Sequence, residues 1–440
     1  MTKETPQMKK LALHWQILIA ILLAGLAGWL SGTEAGIGPL RFHAVYGFLG
    51  TIFIKALKMI IVPLIFSSIV VGITGIGRAG DVGRLGARTL AIYMGTGLLA
   101  VLLGLACVNL VRPGFADGRP VGEQLALHAD GAEVAASLQN HGGIGELVAI
   151  FERMVPENVV ATASDNSDML ALIVFALLFG FFIARAGDEH AEPLFNFWNA
   201  VFHVMMDITA LVMRFAPLGV FGLVASVVAE TGFDAVRPLA LFALTVTVAL
   251  AIHAFVTMPL LIRLLAAVPA WRLYRAMSPA LLTAFSTASS SGTLPVTMEC
   301  MERQAGISNR ISSFVLPLGA TVNMNGTALY ECMAVIFLAQ AYGIELGLTT
   351  QVLIVISALL TSIGVAGVPS ASLVAIGMIL TMVGIPVEAM GVLFVFDRIL
   401  DMLRTSVNVF GDGAAALIVA RMEGEQTALA ATPLRERIYR

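Results

Sequence analysis

Charged residues are scarce in this chain: they make up 12% of its 440 residues, about half of what an ordinary soluble protein carries. That deficit excludes a globular domain with a normally solvated surface. Cysteine is nearly absent as well. Cys107, Cys300 and Cys332 lie in or beside apolar stretches without close spacing, which excludes a disulfide framework, a zinc ribbon or a redox pair and leaves them as small core residues. No run of Lys and Arg of the kind that follows a phosphate backbone is present, and the formal charge is only -3, so a nucleic-acid partner is not expected. The Ser, His and Asp residues offer no nucleophile with a base beside it, and no enzyme chemistry is expected.

What fills the chain is apolar: 58% of the residues are hydrophobic. Runs long enough to cross about 30 Å of hydrocarbon recur along most of it, since a spanning helix needs roughly 20 residues. The sequence predicts spans near 12–31, 44–74, 88–111, 168–187, 197–228 and 238–266. The first follows Lys3, Lys9 and Lys10 but is too long for a signal-peptide core, and it is read as a retained helix. Positive residues favour the cytoplasmic side. Arg78, Arg84 and Arg88, then Arg263, Arg272 and Arg275, then Arg421, Arg435, Arg437 and Arg440 all fall there on an alternating count, with both termini inside. The loop from Pro113 to about Gly145, with Asp117, Glu123, Asp130 and Glu133, suits the outer face. Beyond it, Ile144 to Met154 has the spacing of a short surface helix.

Past residue 270 the apolar segments are interrupted by Ser, Gly, Pro and Asn, at depths where backbone groups have no water to bond. Ser289 to Pro295 interrupts a stretch from Met277 to Glu302 whose halves each read as too short to span. Ser362 to Ser372, with Gly364, Gly367, Pro369 and Ser370, interrupts a second. Each reads as a re-entrant hairpin. Each is followed by a helix with an embedded polar run, Gly319 to Thr327 and Asp397 to Asp412. Such a repeat is an arrangement that secondary transporters use, with the site where discontinuous helices meet.

The last polar run carries the chemistry. Asp397, Asp401, Arg404, Asn408 and Asp412 are spaced four, three, four and four, which confines them to an arc of roughly 80° on one helix face. Three carboxylates against one guanidinium leave a formal -2 in low dielectric, so cations must visit. The oxygens of Thr321, Asn323, Asn325 and Thr327 suit an alkali cation, while half-helix N-termini at the hairpin tips suit a carboxylate. His203 and Asp207, four apart, are expected to pair, and His253 to be a satisfied buried side chain. Lys55 and Lys58 are expected to snorkel or pair near an interface.

These residues resemble the dicarboxylate/amino acid:cation symporters, a family of bacterial and archaeal glutamate and aspartate carriers and animal excitatory amino acid transporters. The likeness rests on SSSGTLP at Ser289 to Pro295, NMNGT at Asn323 to Thr327, GVAGVPSAS in the second hairpin and DRILDMLRTSVNVFGD at Asp397 to Asp412. It implies an all-α polytopic membrane protein of eight transmembrane helices and two re-entrant hairpins in inverted repeats. It implies scaffold helices 1 and 2 in 1–84, transport-domain helix 3 in 85–112, and an extracellular loop with the start of helix 4 in 113–167. Scaffold helices 4 and 5 then occupy 168–232, helix 6 through helix 8 with both hairpins 233–424, and a cytoplasmic tail 425–440. It also implies a homotrimer in lipid, in a plasma (inner) membrane.

For the substrate, an acidic amino acid, the resemblance implies that Arg404 holds the side-chain carboxylate and Asp401 the ammonium. Asn408, Ser291 and the backbone at Ser290 and Val368 take the α-carboxylate, Thr327 and Thr405 complete the pocket, and Asp397 orients Arg404. It implies one Na⁺ among Gly319, Asn323, Asn408 and Asp412, and a second among Thr321, Met324, Ser362, Ile363 and Val365. A third site, at Tyr93, Thr96 and Asn325, is weakened because the family's aspartate is here Asn325 and its serine is Gly97. Glu331 stands where proton-coupled relatives have a glutamate, so H⁺ joins Na⁺ as an expected coupling ion. The rival expectations are a C4-dicarboxylate carrier driven by H⁺ or Na⁺ and, from another class, an anion channel.

Overall fold

The computed structural model describes residues 13–77, 83–127, 152, 155–164, 169–364 and 371–429. Nearly all of this is helix, as it must be where hydrocarbon leaves backbone groups only internal partners. In chain order the helices are α1 (Leu13–Ser31), α2 (Phe42–Gly77), α3 (Gly83–Val111), α4 (Val159–Ser164), α5 (Met169–Arg185), α6 (Asp188–Arg214), α7 (Ala216–Thr231) and α8 (Val236–Ile252). There follow α9 (Met258–Leu265), α10 (Ala270–Thr287), α11 (Ser290–Glu299), α12 (Asn309–Val322), α13 (Asn325–Ala341), α14 (Leu348–Gly364), α15 (Ala371–Met382) and α16 (Phe394–Met422). Two short antiparallel ribbons, Gly36–Ile37 with Leu40–Arg41 and Phe115–Ala116 with Arg119–Pro120, turn the chain between helices. The expected surface helix at Ile144 to Met154, the second hairpin's tip at 365–370, and the chain ends lie outside the described residues.

Four helical stretches among the described residues are long and apolar enough to cross a bilayer: Phe42–Gly75, Leu85–Val111, Val236–Leu265 and Asn309–Ala341. The chain is therefore a multi-pass membrane protein. The predicted span 197–228 is two helices, α6 and α7, bent by 50°. The bend falls at Phe215, where Pro217 in the first turn of α7 has no N–H with which to continue α6. Between α8 and α9 a π turn, His253–Thr257, takes up one extra residue just before Pro259, whose ring would otherwise meet the preceding turn.

Two packing groups emerge. In one, α1 lies on α7, and α2 on α5, α6 and α7. These backbones approach closely: a Cβ on Gly28 would sit 2.5 Å from the Ala225 carbonyl oxygen, and one on Gly222 2.6 Å from that of Tyr46. In the other, α13 packs on α3, and α10, α12 and α13 pack on α16, with α8 across α3 and α16. Every residue of α13 is buried. Around α16 the core is aromatic as well as aliphatic, with Tyr274 and Phe410 stacked at 4.0 Å. The groups meet where α2 touches α14 and α15, and where α7 touches α16.

Candidate functional site

The site is built on an interrupted helix. α12 ends at Val322, Asn323 and Met324 leave the helical region with ψ of 68° and 59°, and α13 starts at Asn325. Carbonyls at the end of α12 and N–H groups at the start of α13 therefore face the break without intrahelical partners. Asn408, reaching across from α16, satisfies the second set. Its Oδ1 accepts from Gly326 N at 2.8 Å and Thr327 N at 3.4 Å, while its Nδ2 donates to Thr327 Oγ1 at 2.9 Å. A side chain from another helix thus does what an N-cap residue normally does locally. The embedded polar run expected at Gly319 to Thr327 is this break.

One turn and more away on α16, Arg404 is fully buried. Its Nη2 donates to Asp397 Oδ1 and Asp401 Oδ1, each at 3.0 Å, and its guanidinium carbon lies 3.9 Å over the Tyr330 ring. Nε and Nη1 have no hydrogen-bond partner among the described residues. Two of its three nitrogens therefore still have N–H donors for a carboxylate.

Sequence reasoning missed one member. Arg398 is also buried, with 4% exposure, and its Nη1 stands 3.7 Å from Asp401 Oδ2. The expected count of one guanidinium is corrected. Three carboxylates, Asp397, Asp401 and Asp412, against Arg398 and Arg404 leave a single net negative charge. Arg398 lies about 60° around the helix from Asp401, outside the stripe, and its long stem brings the charge back in. The signal in the sequence was the three-residue spacing from Asp401, which lets such pairs meet.

Asp397, Asp401, Arg398 and Arg404 neutralise one another, so the uncompensated charge falls on Asp412. This buried carboxylate accepts from Asn323 Nδ2 at 2.9 Å, and no basic side chain among the described residues pairs with it. Asn323 Oδ1 is buried with no partner. Gly319 on α12 lets the backbone come up to this carboxylate: a Cβ there would be 2.5 Å from Asp412 Oδ1 and 2.9 Å from the Tyr93 hydroxyl. Hard oxygen donors around one orphan negative charge fit an alkali cation. No grouping of three His, Cys, Asp or Glu able to hold a metal occurs among the described residues.

Of the second expected ion set, Thr321 is on α12, Met324 in the break after it and Ser362 on α14, which packs on α12; Ser362 Oγ donates to the Leu359 carbonyl. Ile363 is in the last turn of α14, and Val365 and Val368 lie outside the described residues. In the third set, Tyr93 donates to the Val315 carbonyl at 2.6 Å and Thr96 to that of Ile92 at 2.8 Å. Asn325 Oδ1 would be 3.4 Å from a Cβ on Gly97. None of the three side chains is a carboxylate. Glu331, fully buried on α13, accepts from Thr361 Oγ1 of α14 at 2.9 Å, and its Oε1 has no partner among the described residues.

The segment expected to be the first hairpin forms two helices, α10 and α11, packed on each other and on α16. Its tip is a left-handed Ala288 (φ 51°) and an extended Ser289, whose Oγ caps α11 by accepting from Gly292 N at 3.0 Å. Ser290 is buried and Ser291 exposed, and neither bonds to the α16 stripe among the described residues. Thr405 is buried beside Arg404. The first arm is longer than expected: it begins at Ala270, not Met277, because Arg272 and Arg275 belong to the helix instead of a preceding loop.

Two simpler expectations are corrected. His203 bonds through Nδ1 to the Asn199 carbonyl at 2.7 Å and makes no ion pair with Asp207. His253 is buried in the π turn with neither ring nitrogen bonded. Lys55 lines a cavity of about 400 Å³ with Glu230 and Glu388, between α2, α7 and the turn Val387–Leu393.

Comparison with known proteins identifies the family. The model of the sodium:dicarboxylate symporter family matches residues 13–422. The chain is 36% identical over 415 residues to the proton/glutamate-aspartate symporter of Escherichia coli (strain K12), covering 94% of this chain and 93% of the relative. It is 33% identical over 418 residues to a proton/sodium-glutamate symport protein of Bacillus caldotenax, covering 95% and 96%. To the human excitatory amino acid transporter 3 it is 33% identical over 466 residues, covering 94% and 86%. With a match from the first helix to the end of α16, the chain belongs to the sodium:dicarboxylate symporter family.

Proposed function

We propose that this protein is a symporter that imports L-aspartate or L-glutamate with Na⁺ and H⁺ by alternating access. The observation that carries the reading is the half-satisfied guanidinium of Arg404: fully buried, held by Asp397 and Asp401 through Nη2, and without a hydrogen-bond partner among the described residues at Nε and Nη1. A buried guanidinium with free donors is costly unless something completes it. A substrate side-chain carboxylate does so. Asp401 then meets the ammonium. The second N–H of the Asn408 amide, with Ser290, Ser291 and the Val368 backbone, meets the α-carboxylate, and Thr327 and Thr405 close the wall.

Asp412 with Gly319, Asn323 and the Asn408 carbonyl takes one Na⁺. Thr321, Met324, Ser362, Ile363 and Val365 take the second. Tyr93, Thr96 and Asn325 form a weak third site, since it offers dipoles and no carboxylate. Glu331, tied to α14 through Thr361, carries the proton. The relatives named for proton and sodium coupling support this pairing of ions.

In this reading the chain has eight spans and two re-entrant hairpins, with both termini in the cytoplasm. Residues 1–84 and 168–232 form the scaffold of a homotrimer; 85–112 and 233–424 form a transport domain that moves past it. The two packing groups support that division. The test is uptake of labelled L-aspartate into proteoliposomes under imposed Na⁺ and H⁺ gradients. Accumulation under a Na⁺ gradient is expected; no uptake under either gradient defeats the reading, and uptake of succinate without aspartate replaces it with a dicarboxylate carrier.

A further inference from the structure

A threonine hydroxyl has one hydrogen to give and lone pairs with which to accept. Thr209, Thr245 and Thr247 each give theirs to the carbonyl four residues back, the ordinary back-bond of a helical threonine. Thr361, in the last turn of α14, has further claimants. Its Oγ1 lies 2.8 Å from the Ser357 carbonyl oxygen, 3.2 Å from that of Ala358, and 2.9 Å from Glu331 Oε2 on α13. One hydrogen cannot serve both helices.

Which way it points depends on Glu331. With Glu331 protonated, the carboxyl O–H donates to Thr361 Oγ1 and the threonine donates to the Ser357 carbonyl, so every hydrogen is used. With Glu331 ionised, that O–H is gone, and the threonine hydrogen turns from Ser357 to Oε2. The Ser357 carbonyl keeps its helical N–H partner. Glu331 is fully buried and its Oε1 has no partner among the described residues, so the anion depends on this one hydroxyl.

We propose that Thr361 is a positioning residue for the proton step: its hydroxyl accepts from Glu331 while the proton is carried and donates to it once the proton has left, which stabilises the buried anion and permits release. The inference rests on the reading of Glu331 as the proton carrier. Thr361 keeps its own hydrogen throughout; the proton that departs is the glutamate's. The charge that acts on Glu331 from another helix is Arg404 of α16. Among the elements packed on α13, α14 and α15 have no titratable side chain, α8 has Arg237 in its first turn, α3 carries Tyr93 and Cys107, and the turn Val387–Leu393 carries Glu388. Cys332 is the neighbour on α13 itself. None of these changes in a variant at position 361.

The experiment is L-aspartate uptake into proteoliposomes as a function of external pH, at fixed internal pH and saturating Na⁺, for the wild type, Thr361→Val, Thr361→Ser and Glu331→Gln. Valine keeps the shape and removes the hydroxyl; serine restores it. A hydrogen bond to an ionised group exceeds one to a neutral group by the equivalent of about one pH unit, so uptake by Thr361→Val is expected to fall off about one pH unit above the wild type. Its maximal rate should be lower, because release is hindered. Thr361→Ser is expected to keep the wild-type profile. A role in packing alone would lower uptake without moving the profile.

An unmoved profile in Thr361→Val, with pH dependence lost in Glu331→Gln, overturns the inference and leaves Glu331 as the carrier. So does a profile that moves as far in Thr361→Ser as in Thr361→Val. Should Thr361→Val not fold, Thr361→Cys decides: a thiol is a weak donor, an upward shift is expected, and its absence refutes the role of the hydroxyl. Full wild-type pH dependence in Glu331→Gln refutes the proton assignment, and the inference with it.

Discussion

Gly319→Ala adds one methyl group and tests the Na⁺ site most directly. The new Cβ would lie 2.5 Å from Asp412 Oδ1 and 2.9 Å from the Tyr93 hydroxyl. Ordinary carbon-to-oxygen contacts begin near about 3.3 Å, so the carboxylate must retreat by about 0.8 Å. Neither neighbour is free to move: Asp412 holds Asn323 at 2.9 Å, and Tyr93 holds the Val315 carbonyl at 2.6 Å. Overpacking of this kind costs about 1–3 kcal/mol, while exchanging glycine for alanine inside a helix returns about 0.5–1 kcal/mol. The two nearly offset in global stability. They do not offset at the ion site, which bears the whole displacement of its only carboxylate. The half-saturating Na⁺ concentration for L-aspartate uptake is therefore expected to rise about 5- to 150-fold, with maximal uptake largely recovered at high Na⁺. Thermal unfolding of the purified protein should shift little. A half-saturating concentration within twofold of wild type would refute the placement of Na⁺ between Gly319 and Asp412.

Asn408→Ala removes the acceptor for Gly326 N and the donor to Thr327 Oγ1, and should lower stability by about 1–3 kcal/mol in thermal unfolding without substrate; an unchanged midpoint would show that the break holds itself. Glu331→Gln keeps the shape and the Thr361 contact but cannot cycle a proton. Uptake should persist with its pH dependence lost, and a variant with the full wild-type pH profile would sink the proton assignment. Asn325→Asp combined with Gly97→Ser restores a charge and a hydroxyl to the third site. The space exists, since the nearest obstacle to a Gly97 side chain is the flexible end of Leu359 at 3.2 Å. A steeper Na⁺ dependence of uptake is expected, and an unaltered Hill slope would count against a dormant third site.

The sequence disclosed the polar interruptions because hydrocarbon forbids them without a reason: triple serine at 289–291 and the asparagines at 323 and 325 stand out against their surroundings. It disclosed the face shared by Asp397, Asp401, Arg404, Asn408 and Asp412 because helical spacing is regular. It could not disclose Arg398, since a long side chain can return to a face that its Cα does not occupy. Nor could spacing show that Asn408 caps the start of α13, a contact between residues far apart in sequence. The π turn at His253–Thr257 escaped for another reason: periodicity counts apolar positions and does not register a single inserted residue. The bend at Phe215 was readable in principle from Pro217, but the apolar run continues through it.

Under the proposed function the amide of Asn408 sits in two equilibria at once. It fixes the start of α13, and with it the geometry of the carbonyls that close the ion site, and it has one N–H left to meet the α-carboxylate. In that reading substrate and sodium share one ligand. Whatever factor bound aspartate contributes to sodium affinity through this amide, bound sodium must return to aspartate affinity unchanged. Coupling between the two cargoes is in that sense written into one side chain, whichever of them arrives first.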